Sequence, residues 1–288
     1  MQNVKFVKMT GAGNDFVVID NKLNQGLSLS TLNIKELCDR RYGIGADGLI
    51  TISDSGKYDF LMNYYNSDGS TGSLCGNGAR CAIKYANDSE RVKKADIKFL
   101  SNNAEYSGSV MPGEKYKLNL NSPENLKLNE EIEVFSDKIK YDFINTGSPH
   151  IVMDIDNLMN LKISDGINFS NLNDFPVYKL GKEIRYSKKF YPQGTNVNFI
   201  SVSSDKIFIR TYERGVEDET LACGTGAVAA AIIGSINYKL TPPVHLITRS
   251  GEELIVDFGK DNKKYYDVSL TGPAVTVFSG EISINNFD

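Results

Sequence analysis

This chain of 288 residues has little with which to build a metal site or a disulfide framework. Cysteine occurs four times, at Cys38, Cys75, Cys81 and Cys223, and histidine twice, at His150 and His245. No cysteine pair shows the C-x2-C spacing of a zinc site, and two histidines do not make good the shortage. Long apolar runs are missing too: the most apolar stretch, Ala227 to Ile233, is far too short to span a bilayer. The opening residues, MQNVKFVKMTGAGND, contain no apolar region of a secretory signal, so the expected location is cytoplasmic. In that compartment a disulfide framework is not expected. Basic charge is not in excess either. Lys and Arg number 32 against 36 Asp and Glu, a net charge of −4. That argues against a nucleic acid or an anionic membrane as partner, since phosphate binding needs clustered cations. The rest is ordinary for a soluble globular protein, with 41% hydrophobic and 24% charged residues. The length suits one large domain or two medium ones, with a core that needs neither disulfide nor metal.

The pattern along the chain reads as mostly strands with a few helices. Val4 to Met9 alternates and Phe16 to Asp20 is apolar, with a loop from Thr10 to Asp15 between them. Thr31 to Tyr42 has helical spacing through Leu32, Leu37 and Cys38 and stops at Gly43. Asp59 to Asn66 reads as a strand and Ala79 to Asn87 as a helix. Ala95 to Leu120 reads as alternating strands broken at Ser-Asn-Asn and Met-Pro-Gly. The polar stretch Asn121 to Glu133, with Pro123, reads as a linker. Hairpins are expected over Val197 to Glu213 and His245 to Asp257, a small-residue helix over Ala227 to Asn237, and two last strands over Tyr265 to Ile284.

Within this pattern a short segment recurs. Leu74-Cys75-Gly76-Asn77-Gly78-Ala79 returns as Ala222-Cys223-Gly224-Thr225-Gly226-Ala227, 148 residues later, about half the chain. Each copy follows a strand-like run and a polar turn, and each opens a helix. Two similar halves suggest two domains facing each other across a cleft.

A cysteine at the start of a helix has a chemical use. The first N–H groups of a helix lack intrahelical partners and carry partial positive charge. A thiol there is lowered from about 8.5 toward neutrality, so thiolate becomes available. Flanking glycines let a ligand approach the amides, on which a carboxylate sits well. Two such motifs supply one base for each face of a single carbon, which inversion of a stereocentre requires. The plain alternative is a tight turn with a buried cysteine, and for one copy it would lead. Two copies in matching positions favour the reactive reading. Cys38, on an apolar helical face, and Cys81, inside the first helix, read as core.

At these residues the chain resembles the diaminopimelate epimerase family, over nearly its whole length. The resemblance takes in Gly11-Ala12-Gly13-Asn14-Asp15-Phe16, Arg41-Tyr42-Gly43-Ile44-Gly45-Ala46-Asp47-Gly48 and Asn66-Ser67-Asp68-Gly69-Ser70, then Cys75-Gly76-Asn77-Gly78-Ala79-Arg80-Cys81. In the second half it takes in Gly147-Ser148-Pro149-His150, Gly194-Thr195-Asn196-Val197-Asn198-Phe199, Tyr212-Glu213-Arg214-Gly215 and Ala222-Cys223-Gly224-Thr225-Gly226. Proline racemases share the two-cysteine logic, but there a histidine usually follows the first Cys-Gly, where this chain has Asn77.

The resemblance implies an α+β fold of two pseudo-symmetric domains, each a mixed, mostly antiparallel sheet wrapped around a central helix. Residues 1–120 with 273–288 would carry Cys75, and residues 121–272 would carry Cys223. It implies conversion of LL- to meso-diaminopimelate, in lysine and peptidoglycan precursor biosynthesis, with no cofactor, neither pyridoxal phosphate nor metal. Carried over by position, Cys75 and Cys223 are the acid/base pair. The amides of Gly76, Asn77, Gly224 and Thr225 would hold the reacting carboxylate. Asn14, Asn66, Asn196, Glu213 and Arg214 would hold the amino groups and the distal carboxylate, and His150 and Glu213 would position or deprotonate the thiols. The implied partner is the small-molecule substrate, with a homodimer left open.

The residue chemistry agrees in kind. Arg suits bidentate carboxylate recognition, and Asn offers a donor and an acceptor to an ammonium–carboxylate pair. Plainer readings stand beside these. Arg214 could pair with Glu217 or Asp218, His150 could be a satisfied core histidine, and Asn14, Asn66 and Asn196 could be turn residues. Three departures touch amine recognition: Gly48 stands where many relatives have Gln, Ser148 replaces a common Asn, and the loop from Arg214 to Cys223 is one residue longer.

Rival readings fare worse. Gly43-Ile44-Gly45-Ala46-Asp47-Gly48 satisfies G-x-G-x-x-G but follows a helix and precedes a strand, the reverse of a dinucleotide-binding turn. A Cys223–His150 hydrolase pair leaves Cys75 unexplained. A binding module without catalysis needs neither thiol. The serious alternative is a racemase or isomerase of another amino acid on the same fold.

Overall fold

The computed structural model describes residues 2–72, 74–135, 137–159, 169–262 and 264–284. The chain divides into two compact units, Met1–Asn119 with Thr271–Asp288, and Leu120–Leu270.

In the first unit, β1 (Gln2–Gly11) and β2 (Asn14–Asp20) form a hairpin turning at Ala12-Gly13, both at positive φ. The C-terminal strand Val275–Ile284 pairs antiparallel with the other edge of β1. Helix α1 (Thr31–Cys38) crosses to β3 (Gly48–Ser53), which runs parallel to β2 and antiparallel to β4 (Phe60–Asn66). Helix α2 (Gly76–Asp88) leads to β5 (Asp96–Ser101), parallel to β4, and then to the meander β6 (Ala104–Met111) and β7 (Lys115–Asn119).

The second unit repeats this plan. β8 (Glu124–Val134) and β9 (Asp137–Asn145) form a hairpin, and β9 pairs antiparallel with β10 (Pro149–Asp154). Helix α3 (Val177–Arg185) precedes β11 (Asn196–Ser203), which is parallel to β10 and antiparallel to β12 (Lys206–Glu213). The short β13 (Asp218–Thr220) pairs with the end of β12. Helix α4 (Gly224–Asn237) leads to β14 (Val244–Ile247), parallel to β12, then β15 (Glu253–Asp261) and β16 (Lys264–Pro273). In both units a parallel pair, an antiparallel pair, a helix and a second parallel pair follow in the same order. The fold is α+β, with a mixed, mostly antiparallel sheet around one helix in each unit.

Burial explains why Phe16 to Ile19 of β2 reads as an apolar run without alternation. One face of β2 and β3 packs through Val17, Ile19 and Leu49 onto Ile34 and Leu37 of α1. Phe16, Val18 and Ile50 are buried as well and alternate with these residues along the strands, so they turn to the other face. A strand buried on both faces has no polar side to show. α4 is buried from Gly226 to Gly234 and is built from Gly, Ala, Val and Ile, as a helix enclosed all round must be.

Some elements differ from the sequence reading. α1 ends at Cys38 rather than Tyr42, because Asp39 turns to extended backbone and its Oδ1 accepts the N–H groups of Arg41 and Tyr42 at 2.7 Å. The expected linker over Asn121 to Glu133 is largely the strand β8. Of β8 only Ile132 and Val134 are buried, and its register slips twice, with Asn125 and Asn129 at positive φ. A solvated strand with one anchored end looks like a linker in sequence. Helix α3 was not expected at all.

Candidate active site

Cys75 and Cys223 are the N-cap residues of α2 and α4. Their backbones match, φ −89° and ψ 116° for Cys75 and φ −115° and ψ 111° for Cys223. Each carbonyl opens its helix, accepting from Ala79 at 2.8 Å and from Ala227 at 2.9 Å. Cys75 is half-buried and Cys223 is 7% exposed. The next amides, of Gly76 and Asn77 and of Gly224 and Thr225, are the first of each helix and therefore outside its i→i−4 ladder. The second glycine of each motif is fixed by packing. A Cβ on Gly78 would lie 3.1 Å from Ile50 and 3.6 Å from Cys75 Cβ, and one on Gly226 only 2.4 Å from Asn198 Oδ1.

In the first unit a polar chain runs to the helix. Asn14 Nδ2 donates to Asp47 Oδ2 at 3.1 Å, and Asn14 Oδ1 accepts from Asn77 Nδ2 at 2.9 Å. Asn77 Oδ1 accepts from Arg80 at 2.9 Å, and Arg80 also reaches the Gly76 carbonyl at 3.3 Å. Arg80 is completely buried. At the far end, Arg40 clamps both Asp47 and Asp15, and the buried Lys8 pairs with Asp15. Asn66 lies opposite Gly48 at the end of β4 and donates to Ser70 Oγ at 3.0 Å. A side chain at Gly48 would strike the Tyr64 ring and the Tyr65 carbonyl at 2.6 Å, so aromatic packing occupies the place a longer side chain would need.

In the second unit the polar groups converge on His150. The ring is fully buried, and Nε2 lies 2.9 Å from both Ser148 Oγ and Thr225 Oγ1. Thr225 Oγ1 lies 3.6 Å from Cys223 Sγ. Burial, with the charge of Arg214 nearby, pushes the His150 pKa down to about 3, so the imidazole is neutral at pH 7. Asn196 donates to Ser148 Oγ at 3.2 Å and accepts the Arg214 N–H at 2.9 Å. Glu213 Oε2 accepts from Thr220 at 2.9 Å. Arg214 donates from its guanidinium to the Gln193 carbonyl at 3.2 Å. Glu217, one of the two surface partners that the plainer reading of Arg214 offered, pairs with Arg185 at 2.9 Å.

The structure thus joins Asn14 to Asn77 in one unit, and His150, Asn196, Thr225 and Cys223 in the other. Cys38 and Cys81 are buried, and burial pushes the Cys38 thiol up to about 12. Residues missed by the sequence reading are Arg80, Asp47, Thr146, whose hydroxyl donates to the Thr225 carbonyl at 2.9 Å, and Asn198. For Asn198 a signal existed: an amide flanked by the apolar Val197 and Phe199, on the same strand face as Asn196.

Comparison with known proteins shows the family. The diaminopimelate epimerase family model matches residues 6–112 and 143–277. A protein named diaminopimelate epimerase from Chlorobaculum tepidum is 40% identical over 280 residues, 96% of this chain and 100% of that protein. One of the same name from Flavobacterium psychrophilum is 38% identical over 280 residues, 97% of this chain and 100% of that one. Among solved structures, a probable proline racemase from Agrobacterium radiobacter K84 superposes with a TM-score of 0.70 at 14% identity, covering 99% of this chain and 94% of that one, a likeness of fold alone. With the family model spanning both cysteine motifs and relatives matching from end to end, the chain belongs to the diaminopimelate epimerase family.

Proposed function

We propose that this protein interconverts LL- and meso-diaminopimelate without a cofactor, as an isomerase of lysine and peptidoglycan precursor biosynthesis in the cytoplasm. The observation that carries the reading is the pair of cysteines at matching helix N-caps, one in each unit, each followed by a Gly-x-Gly start. One thiolate removes the α-proton and the other thiol delivers a proton to the opposite face. The first amides of α2 and α4 hold the reacting carboxylate, where helix N-termini favour the charge that develops on proton loss. Asn14, Asn66, Asn196, Glu213 and Arg214 take the ammonium groups and the distal carboxylate, with Arg214 as the carboxylate fork.

Two features of the second unit support the assignment of its residues. The neutral His150 beside Thr225 offers a polar but uncharged neighbour to the Cys223 sulfur, which leaves the thiol free to cycle through both protonation states. Asn196 is held from two sides at the end of β11, which fits a preorganised amide rather than a turn residue. The test is kcat/KM for diaminopimelate, lysine and glutamate. Turnover of diaminopimelate with very poor turnover of the other two is expected. Equal turnover of all three would transfer the assignment to a broader amino-acid racemase.

A further inference from the structure

Asn198 has no part in the proposed reaction, yet it is completely buried behind the Cys223 helix. It stands two residues after Asn196 on β11, on the same strand face, and one strand away from His150. Its amide orientation is fixed by its neighbours. Nδ2 lies 2.7 Å from the Ile151 carbonyl, and Oδ1 accepts from the Thr211 hydroxyl at 3.0 Å. The flipped amide would press oxygen against the Ile151 carbonyl oxygen, so Nδ2 is the group that faces it. The second hydrogen of Nδ2 points to His150 Nδ1 at 3.2 Å. A nitrogen that accepts a hydrogen bond carries no proton, and the amide nitrogen nearest Nε2, Asn196 Nδ2 at 3.5 Å, has nearer acceptors in the Pro149 carbonyl at 3.0 Å and Ser148 Oγ at 3.2 Å, so the proton of the neutral ring sits on Nε2.

The consequence reaches the sulfur. Nε2–H lies between two hydroxyl oxygens, Ser148 Oγ and Thr225 Oγ1, both at 2.9 Å. Nε2 therefore offers no lone pair to Thr225. Two acceptors are then in reach of the Thr225 hydroxyl hydrogen: Ser148 Oγ at 3.5 Å, which already receives a hydrogen from Asn196, and Cys223 Sγ at 3.6 Å. A thiolate is the stronger acceptor of the two, so the hydrogen goes to the sulfur when Cys223 is ionised. With the other tautomer the hydroxyl would donate to the ring and turn a lone pair toward the sulfur, which disfavours thiolate.

We propose that Asn198 is a positioning residue that fixes the His150 tautomer, so that His150 and Thr225 form a directed donor chain ending on the Cys223 sulfur. The inference rests on reading Cys223 as an acid/base thiol, but its test needs no substrate. Nitrogen-15 NMR of the unliganded full chain reads the tautomer directly. With only two histidines in the chain, His245→Gln assigns the signals. Wild type should show a proton on Nε2 and a bare Nδ1. Asn198→Asp, equal in shape but an acceptor, should move the proton to Nδ1 or charge the ring.

The sulfur end is read by iodoacetamide alkylation of Cys223 at pH 7, followed by peptide mapping. Thr225→Val should slow it about 10- to 100-fold, the worth of one hydrogen bond to a charged group. Thr225→Ser, which keeps the hydroxyl, should stay within about twofold of wild type, on the same reasoning. If Asn198→Asp does not fold, the wild-type tautomer and the Thr225 pair still decide. A proton on Nδ1 in wild type, or unchanged alkylation in Thr225→Val, would overturn the proposal. Failure of the wild type to epimerise diaminopimelate would leave these readouts standing and count against the function instead.

Discussion

Replacing Lys8 by Met tests the charge cluster that holds the Asn14 side of the site. The Lys8 ammonium is 2.7 Å from Asp15 Oδ2, with the Gly45 carbonyl as a second acceptor, and only 8% of the Lys8 side chain is exposed. Arg40 binds the same carboxylate at 2.8 and 3.0 Å, but from a side chain that is 58% exposed. Burial by itself would raise the Asp15 pKa. Hydrogen bonds and charge from Arg40 and Lys8 outweigh it and hold the carboxyl down to about 2. Against an unfolded value of about 3.9, the shift corresponds to a ceiling of about 2.5 kcal/mol shared by the two cations. Solvent screening discounts the Arg40 share more than that of Lys8. Arg40 remains in the variant, so Asp15 is not stranded, and the cost stays below the about 3–5 kcal/mol of a buried charge that loses its only partner. Lys8→Met should therefore lose about 1–2 kcal/mol at pH 7. The sign follows from a depressed folded pKa. The stabilisation is complete above the unfolded pKa and is lost as pH falls toward 2. The gap between wild type and variant in urea unfolding should shrink between pH 5 and pH 3. Because Asp47, in the same cluster, orients Asn14, KM for diaminopimelate should rise as well. A gap that is constant over that range would refute the electrostatic account.

Cys38→Ala and Cys81→Ala should keep epimerase activity and lose about 1 kcal/mol of stability in denaturant unfolding, as small buried cavities do. Arg214→Met should lower kcat/KM at least about a hundredfold, since a charged partner left unpaired costs several kcal/mol; Lys should rescue it poorly in the same assay, lacking the planar fork. Gly226→Ala should be both destabilised and nearly inactive, because the new Cβ would sit 2.4 Å from Asn198 Oδ1 and 3.3 Å from Cys223 Sγ; a thermal melt and a rate measurement check it. His150 should contribute no step to the pH–rate profile between pH 5 and 8, because burial holds its pKa near 3; a step removed by His150→Asn would contradict that.

The central strands and helices were legible because burial writes itself into composition. The apolar Phe16 to Ile19 of β2 and the small residues of α4 have no other use. β8 was not legible, since a solvated strand pairs through backbone groups that carry no side-chain signature. α1 was read four residues too long because periodicity does not register the Asx turn at Asp39. At the site, the recurring Cys-Gly-x-Gly was visible in the letters, and it sits at two helix N-caps as that pattern implies. The supporting shell was not. Asn198 and Thr146 act through hydrogen bonds between segments distant in sequence, such as the 48 positions between His150 and Asn198. Only the register of β10 with β11 brings those two together.

The most direct test of the two-thiol account is the reaction run in D2O from LL-diaminopimelate, with product analysed early for deuterium at the α-carbon. Wild type should give meso product carrying one solvent deuterium at the inverted centre, and Cys75→Ala and Cys223→Ala should each give none. Inverted product without solvent deuterium, or near-wild-type inversion by either variant, would contradict the account.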